Sequence, residues 1–170
     1  MERLQNRTLI RVSGEEARHF LENLITCDIN SIENGDARFG ALLTPQGKIL
    51  FDFFVFMETD AYFFDISAGL ADAFAKRLMF YRLRARVDIE VCDPVDVTAC
   101  WDTPRPDSPR AYQDARHPDM GYRIYGDADE GSDTGSYARK RIALNVPEGG
   151  ADFEYGDAYP HETLMDQFGG

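Results

Sequence analysis

Cysteine is scarce in this 170-residue chain, and Cys27, Cys92 and Cys100 form no Cys-x-x-Cys pair. An odd, scattered set of thiols argues against a disulfide framework and against a zinc site built from this chain alone, and it fits a reducing, intracellular setting. Long apolar runs are also missing. No stretch approaches the roughly 20 residues that a membrane helix needs, and Met1 to Thr8 are polar and charged rather than an apolar signal core. A cytoplasmic location is the expectation. Gly-x-Gly-x-x-Gly, Gly-x4-Gly-Lys-Ser/Thr, His-Glu-x-x-His and Gly-x-Ser-x-Gly are all absent, so dinucleotide, nucleoside-triphosphate, zinc-protease and hydrolase readings lose support. Positive charge is in deficit too, with 18 Lys/Arg against 30 Asp/Glu, a formal net charge of -12. That balance opposes non-specific attraction to nucleic acid. Residues 91–170 carry most of it, with 7 cationic against 16 acidic side chains, whereas residues 1–90 carry 11 against 14. Any anion site belongs in the first half, where Lys76, Arg77, Arg82, Arg84 and Arg86 cluster.

What the chain does have is a dense apolar run, Ile49 to Phe56, opened by the turn Thr44-Pro45-Gln46-Gly47 and interrupted by one carboxylate, Asp52. In an extended strand, alternation puts Ile49, Phe51, Phe53 and Val55 on one face and Leu50, Asp52, Phe54 and Phe56 on the other. An acid among large hydrophobes is costly unless it is paired or hydrogen-bonded, and desolvation of that kind produces catalytic and ligand-orienting carboxyls. Two readings of Asp52 follow: such a functional acid, or an edge or arginine-paired residue that supports the fold.

Leu9 to Val12 reads as a strand. Ser13-Gly14-Glu15-Glu16 is a capping-box pattern for a helix whose core positions are Ala17, Phe20, Leu21, Leu24 and Ile25. His19 falls beside that stripe as a surface residue. Ala37 to Leu43, Lys48 to Met57 and Ala61 to Asp65 read as an antiparallel meander, the first two joined by the Pro–Gly turn. Leu70, Phe74, Leu78 and Tyr81 recur at helical spacing up to Arg82, and Val87 to Val91 is a strand. A second unit begins after Asp93-Pro94, which gives subdomains of residues 1–92 and 93–170. Its elements are strands at Val95 to Trp101 and Gly121 to Tyr125 and a helix at Tyr137 to Leu144, ended by Asn145 and Pro147. Asp102 to Pro118 and Asp127 to Ser136 read as loops. His117 and His161 lie in acidic, Pro-flanked loops, and Gly149-Gly150 reads as a turn rather than a phosphate cradle.

Several segments taken together resemble the YgfZ family of folate-binding proteins, relatives of the aminomethyltransferase of the glycine cleavage system. They are Val12-Ser13-Gly14 with Phe20-Leu21 and Thr26-Cys27-Asp28-Ile29; Leu43 to Ile49; Tyr81-Arg82-Leu83-Arg84-Ala85-Arg86-Val87; Asp114 to Pro118 with Gly121-Tyr122-Arg123; and Arg141-Ile142-Ala143 through Pro147 to Glu162. The resemblance implies an α+β fold of two similar, intertwined subdomains with antiparallel sheets around a folate pocket. It implies tetrahydrofolate or a derivative as ligand, no bound metal, and a role in iron–sulfur cluster assembly or repair with client or assembly proteins as partners. Aminomethyl transfer is the alternative. Asp52 falls where the aminomethyltransferases carry the acid that orients the pterin, and Phe54, Tyr62, Arg84 and Arg141 are candidate walls and cations for the same ligand. Ala143 stands where those enzymes have a glutamate. The family's Lys-Gly-Cys-x-Gly-Gln-Glu motif does not occur in the chain, and none of the three cysteines corresponds to its thiol. No catalytic residue is assigned.

Overall fold

A computed structural model describes residues 1–33, 35–126 and 135–168. Among the described residues, nine strands form two antiparallel sheets and three α-helices accompany them: β1 (Glu2–Arg3), β2 (Arg7–Ser13), α1 (Ala17–Glu22), β3 (Ala37–Leu43), β4 (Ile49–Glu58), β5 (Ala61–Ser67), α2 (Ala71–Arg82), β6 (Asp88–Val91), β7 (Val97–Cys100), β8 (Ala111–Gln113), β9 (Tyr122–Tyr125) and α3 (Ser136–Ala143). The larger sheet has the order β3-β4-β5-β2-β6 and the smaller one β1-β7-β9-β8. The fold is thus α+β. Its intertwining is visible at the N-terminus, where Glu2 and Arg3 pair with Ala99 and Thr98 of the second sheet before the chain enters the first. Glu2 also accepts the backbone N–H groups of Ser136 and Tyr137, at 2.7 and 3.2 Å, and so caps α3.

The density of hydrophobes in β4 has a simple cause: both of its faces are covered. Phe51, Phe53 and Val55 meet α1 and α2 in the main core, together with Phe64, Ile66, Phe74 and Leu78. Phe56, on the other face, stacks on Tyr112 of β8 at 4.4 Å and meets Tyr125 of β9 at a tilt, 4.6 Å between ring centres. A strand buried on both sides needs apolar residues at every position, so alternation is lost.

The expected facing of β4 holds from Phe51 to Phe56 and fails at its start. Leu42 is opposite Phe51 and Leu43 opposite Ile49, so Leu50 is the extra residue of a bulge. Ile49 therefore joins Phe54 and Phe39 rather than Phe51. The Thr44 to Gly47 turn closes as expected, with Gly47 N–H donating to the Thr44 carbonyl at 2.9 Å. The predicted capping box does not form. Ser13 ends β2, and the Glu16 carboxylate instead accepts the Arg86 backbone N–H at 2.7 Å, tying the start of α1 to the turn after α2. The reading of Asp102 to Pro118 as loop overlooks β8, a short strand held by β9. Of the loop read over Asp127 to Ser136, residues 127–134 lie outside the described residues, and Ser136 opens α3. Asn145, just past α3, has φ +53, the left-handed geometry expected there.

Phe53 is fully buried, with the rings of Phe64 and Phe74 at 5.0 and 5.5 Å. Truncation to alanine should lower unfolding free energy by about 3–5 kcal/mol. Urea denaturation of Phe53→Ala against the parent chain measures it, and a loss below about 1 kcal/mol would contradict this packing.

Candidate functional site

Asp52 sits in the body of β4, opposite Ala41 of β3, and is buried. Its partners are not arginines. Tyr155 donates its hydroxyl to Oδ1 at 2.6 Å, and the Gly149 backbone N–H donates to Oδ2 at 3.2 Å. Burial, and then the charge of Asp52, raises the Tyr155 pKa, so the phenol stays neutral and keeps donating. A Cβ at position 149 would stand 2.3 Å from the Tyr155 ring. Glycine is required there by close approach.

The segment that brings these two donors is built as a strap. Arg141 of α3 ion-pairs with Glu148 at 2.8 Å and with Asp152, and donates to the Val146 carbonyl at 3.1 Å. Asp152 in turn accepts the Glu148 N–H at 2.9 Å. Further along, Gly156 N–H donates to the Ile49 carbonyl and Ile49 N–H donates to the Ala158 carbonyl, at 2.7 and 2.9 Å, which pins the strap to the start of β4. Both donors to Asp52 line a cleft of about 530 Å3, which also takes in Leu4, Arg7, Leu70 and Tyr137.

Beside this cleft lies a buried ionic network between the sheets. Asp65 of β5 accepts Arg7 Nε at 2.6 Å, Arg123 Nη1 at 2.6 Å and the Tyr125 hydroxyl at 2.9 Å. Arg123 and Arg116 both donate to the Tyr137 hydroxyl, at 2.6 and 2.7 Å, and Arg116 makes a two-pronged pair with Asp114 at 3.0 and 2.8 Å. Burial alone would raise the carboxyl pKa values, but Arg7 and Arg123 hold Asp65, and Arg116 holds Asp114, below the usual carboxylate range. Three guanidinium groups share two carboxylates within this network, while Asp52 and the cleft-lining Glu148 place negative charge beside it.

The structure separates the five site residues named from the sequence. Phe54 is on the same face as Asp52, but the guanidinium groups of Arg123 and Arg116 lie over its ring at 3.9 and 4.8 Å, so it seats cations of the network. Arg141 is near the site through the strap, and its charge is taken by Glu148 and Asp152. Tyr62 points to the opposite face of the sheet and is buried in the helix-covered core, because Tyr62, Phe64 and Ile66 alternate with Asp65. Arg84 is exposed beyond the end of α2, in a different groove. Gly149, Tyr155, Arg7 and Asp65 were not legible as site residues: the first two lie far along the chain from Asp52, and Arg7 and Asp65 meet only through the β2–β5 pairing. Gly149-Gly150 is a turn, as read, and also a donor to Asp52. The three cysteines are unpaired, and burial pushes the Cys27 thiol up to about 12. His117 caps a short helical turn by accepting the Asp119 N–H at 3.1 Å. Among the described residues no group of three His, Cys, Asp or Glu side chains could hold a metal ion, and no helix is long and apolar enough to cross a membrane.

No family model matches the chain. Its backbone is similar to the crystal structure of glycine cleavage system aminomethyltransferase T from Bartonella henselae, with a TM-score of 0.52 and 21% identity over 57% of this chain and 27% of that one. The fold is therefore of the aminomethyltransferase type. Among curated relatives, the mitochondrial iron–sulfur cluster assembly factor IBA57 homolog of Neurospora crassa is 26% identical over 99% of this chain and 46% of its own length. Human mitochondrial IBA57 is 27% identical over 96% and 55%, and the tRNA-modifying protein YgfZ of Vibrio vulnificus is 28% identical over 57% and 30%. The chain is a homologue of the IBA57 and YgfZ proteins, as the resemblance in its sequence implied. It spans about half the length of the IBA57 relatives it matches.

Two predictions follow from the geometry. Asp65 and Asp114 have folded-state pKa values below their unfolded ones, so their stabilisation is full above about pH 4 and is lost as pH falls through the lower folded values. Asp65→Asn should cost about 3–5 kcal/mol at pH 7, by leaving two arginines underpaired, and should flatten the acid limb of a plot of melting temperature against pH. In Gly149→Ala the new methyl should displace the Tyr155 ring and cost about 1–3 kcal/mol, read by thermal unfolding together with near-ultraviolet circular dichroism of the tyrosines.

Proposed function

We propose that this chain binds a reduced folate, tetrahydrofolate or a derivative, in the cleft beside Asp52, and that it serves iron–sulfur cluster assembly or repair. Asp52 carries the reading: a buried carboxylate whose two hydrogen-bond donors both belong to the cleft wall. A pterin edge presents adjacent N–H groups, and a carboxylate is the acceptor suited to them. The cleft's volume of about 530 Å3 falls in the range of small-molecule sites. Tyr137, Tyr155, Leu4 and Leu70 supply flat and apolar walls. Arg7, which lines the cleft and belongs to the positively biased network, is the cation for the glutamate tail. Arg141 supports the site through the strap, Phe54 supports it by seating the arginines, and Tyr62 and Arg84 stand apart from it.

The iron–sulfur role is supported by the relatives, which are named as assembly factors, and it implies client or assembly proteins as partners. A cytoplasmic setting is proposed for this chain; the IBA57 relatives are named mitochondrial. The alternative, aminomethyl transfer, has less support. Position 143, where the aminomethyltransferases carry a glutamate, is an exposed alanine at the end of α3.

Titration calorimetry with tetrahydrofolate and its 5-formyl derivative, in anaerobic reducing buffer, tests the reading. Saturable binding is expected, weakened about 10- to 100-fold in Asp52→Asn with the unfolding midpoint retained, the range set by one lost hydrogen bond to a charged group. Absence of saturable binding by the folded chain, or equal affinity in the variant, would overturn it.

A further inference from the structure

On the helix-covered side of the larger sheet, the end of α2 and the length of α1, on through Leu24, enclose a groove of about 300 Å3, distinct from the cleft beside Asp52. Phe20, Leu24 and Tyr81 give it apolar walls, and Arg82, Leu83 and Arg84 form its rim. Three large hydrophobes stand in solvent at this end of α2: Leu83 is 88% exposed, Phe80 71% and Met79 48%. Leu83 is also strained. Its φ of +46 with ψ of -102 is a conformation that a branched residue rarely adopts, and it holds the side chain outward just past the helix. An exposed, strained leucine contributes nothing to the core.

The charge around it is as unusual. In a chain of net charge -12, the side chain of Arg84 makes no ion pair or hydrogen bond among the described residues, and the same holds for the side chains of Lys76 and Arg77, one turn before Phe80 and Tyr81 on α2. Among the described residues the Arg82 side chain reaches only the Val87 carbonyl, at 3.2 Å. The carboxylate lining the groove, Glu16, is already committed to the Arg86 backbone and side chain at 2.7 and 3.4 Å, and the nearby Glu22 accepts Asn30 Nδ2 at 2.7 Å. The groove therefore offers an apolar seat with a positive, unneutralised rim.

We propose that this face docks an acidic segment of a partner protein that inserts one apolar side chain into the groove while its carboxylates meet Arg82, Arg84 and the α2 cations. Exposed apolar patches rimmed by charge mark such sites, and opposite charge across an interface sets register and speeds association. A protein segment suits the face better than a lipid surface does. The seat is a concave notch for one side chain, and a body this acidic is repelled by an anionic bilayer.

Fluorescence anisotropy with a short labelled peptide of glutamates around a central leucine tests this, beside the same peptide with glutamine for glutamate and with lysine for glutamate. The acidic peptide is expected to bind saturably, more weakly as salt rises, and about tenfold more weakly to Leu83→Ser and to Arg84→Glu. Both variants change exposed side chains, and unchanged melting temperatures verify that they fold. No saturable binding, equal binding of the glutamine or lysine peptide, or full binding by the variants would overturn the proposal. Flotation of the chain with phosphatidylglycerol vesicles, without peptide binding, would overturn it in favour of a membrane surface.

Discussion

The ion pair between Asp65 of β5 and Arg123 of β9 is the contact on which the arrangement of the two sheets turns. It crosses the interface at 2.6 Å with both side chains buried. Two charges so placed have lost water, and only further hydrogen bonds offset that loss. Each partner has them. Asp65 accepts from Arg7 and Tyr125, and Arg123 donates to Tyr137 while lying over the Phe54 ring. Tyr137 then links the network to Arg116 and Asp114. Strands from both sheets and the helix α3 are thus fixed relative to one another by directional contacts, where the ring contacts of Phe56, Tyr112 and Tyr125 alone would tolerate sliding.

Asp52 and Asp65 show how one sheet holds two buried acids for different ends. Asp65 is surrounded by guanidinium groups and is locked. Asp52 is met by two neutral donors on a strap that crosses the chain's own cleft. Neutral donors satisfy a carboxylate without cancelling its charge, and the proposed folate site rests on that difference. The bulge at Leu50 belongs to the same design. It lets the strap pair with the backbone of Ile49 while Asp52, three residues on, still faces the strap's donors.

The homology and the geometry bear on different parts of the molecule. The IBA57 relatives span nearly the whole chain, and the aminomethyltransferase structure and YgfZ each match 57% of it; the proposed folate site lies on the inter-sheet side of the scaffold. The exposed end of α2 lies on the helix side. Its arginines belong to the cluster that the charge pattern marked as the place for an anion, yet the structure directs them away from the cleft and toward solvent. Arg7, from the first residues of β2, is the cation that reaches the cleft instead.

Local pattern was enough to define most elements. The Pro–Gly turn, the helical spacing from Leu70 to Tyr81 and the left-handed Asn145 just past α3 depend on near neighbours, and the structure keeps them. It was also enough to single out Asp52, because an acid in a run of phenylalanines is visible without any partner. Ser13 and Glu16 show where locality fails: the capping box was available in sequence, and a contact from Arg86, 70 residues away, took the carboxylate. Tyr62 and Arg84 are separated from Asp52 for the same reason, since composition cannot say which face of a sheet or which end of a helix a side chain will occupy. Asp52's donors at positions 149 and 155, the Arg7–Asp65–Arg123 network and the facing of Ile49 were decided only by tertiary structure. Each depends on chain segments far apart in sequence, and only the packed sheets and the strap bring them within hydrogen-bonding distance.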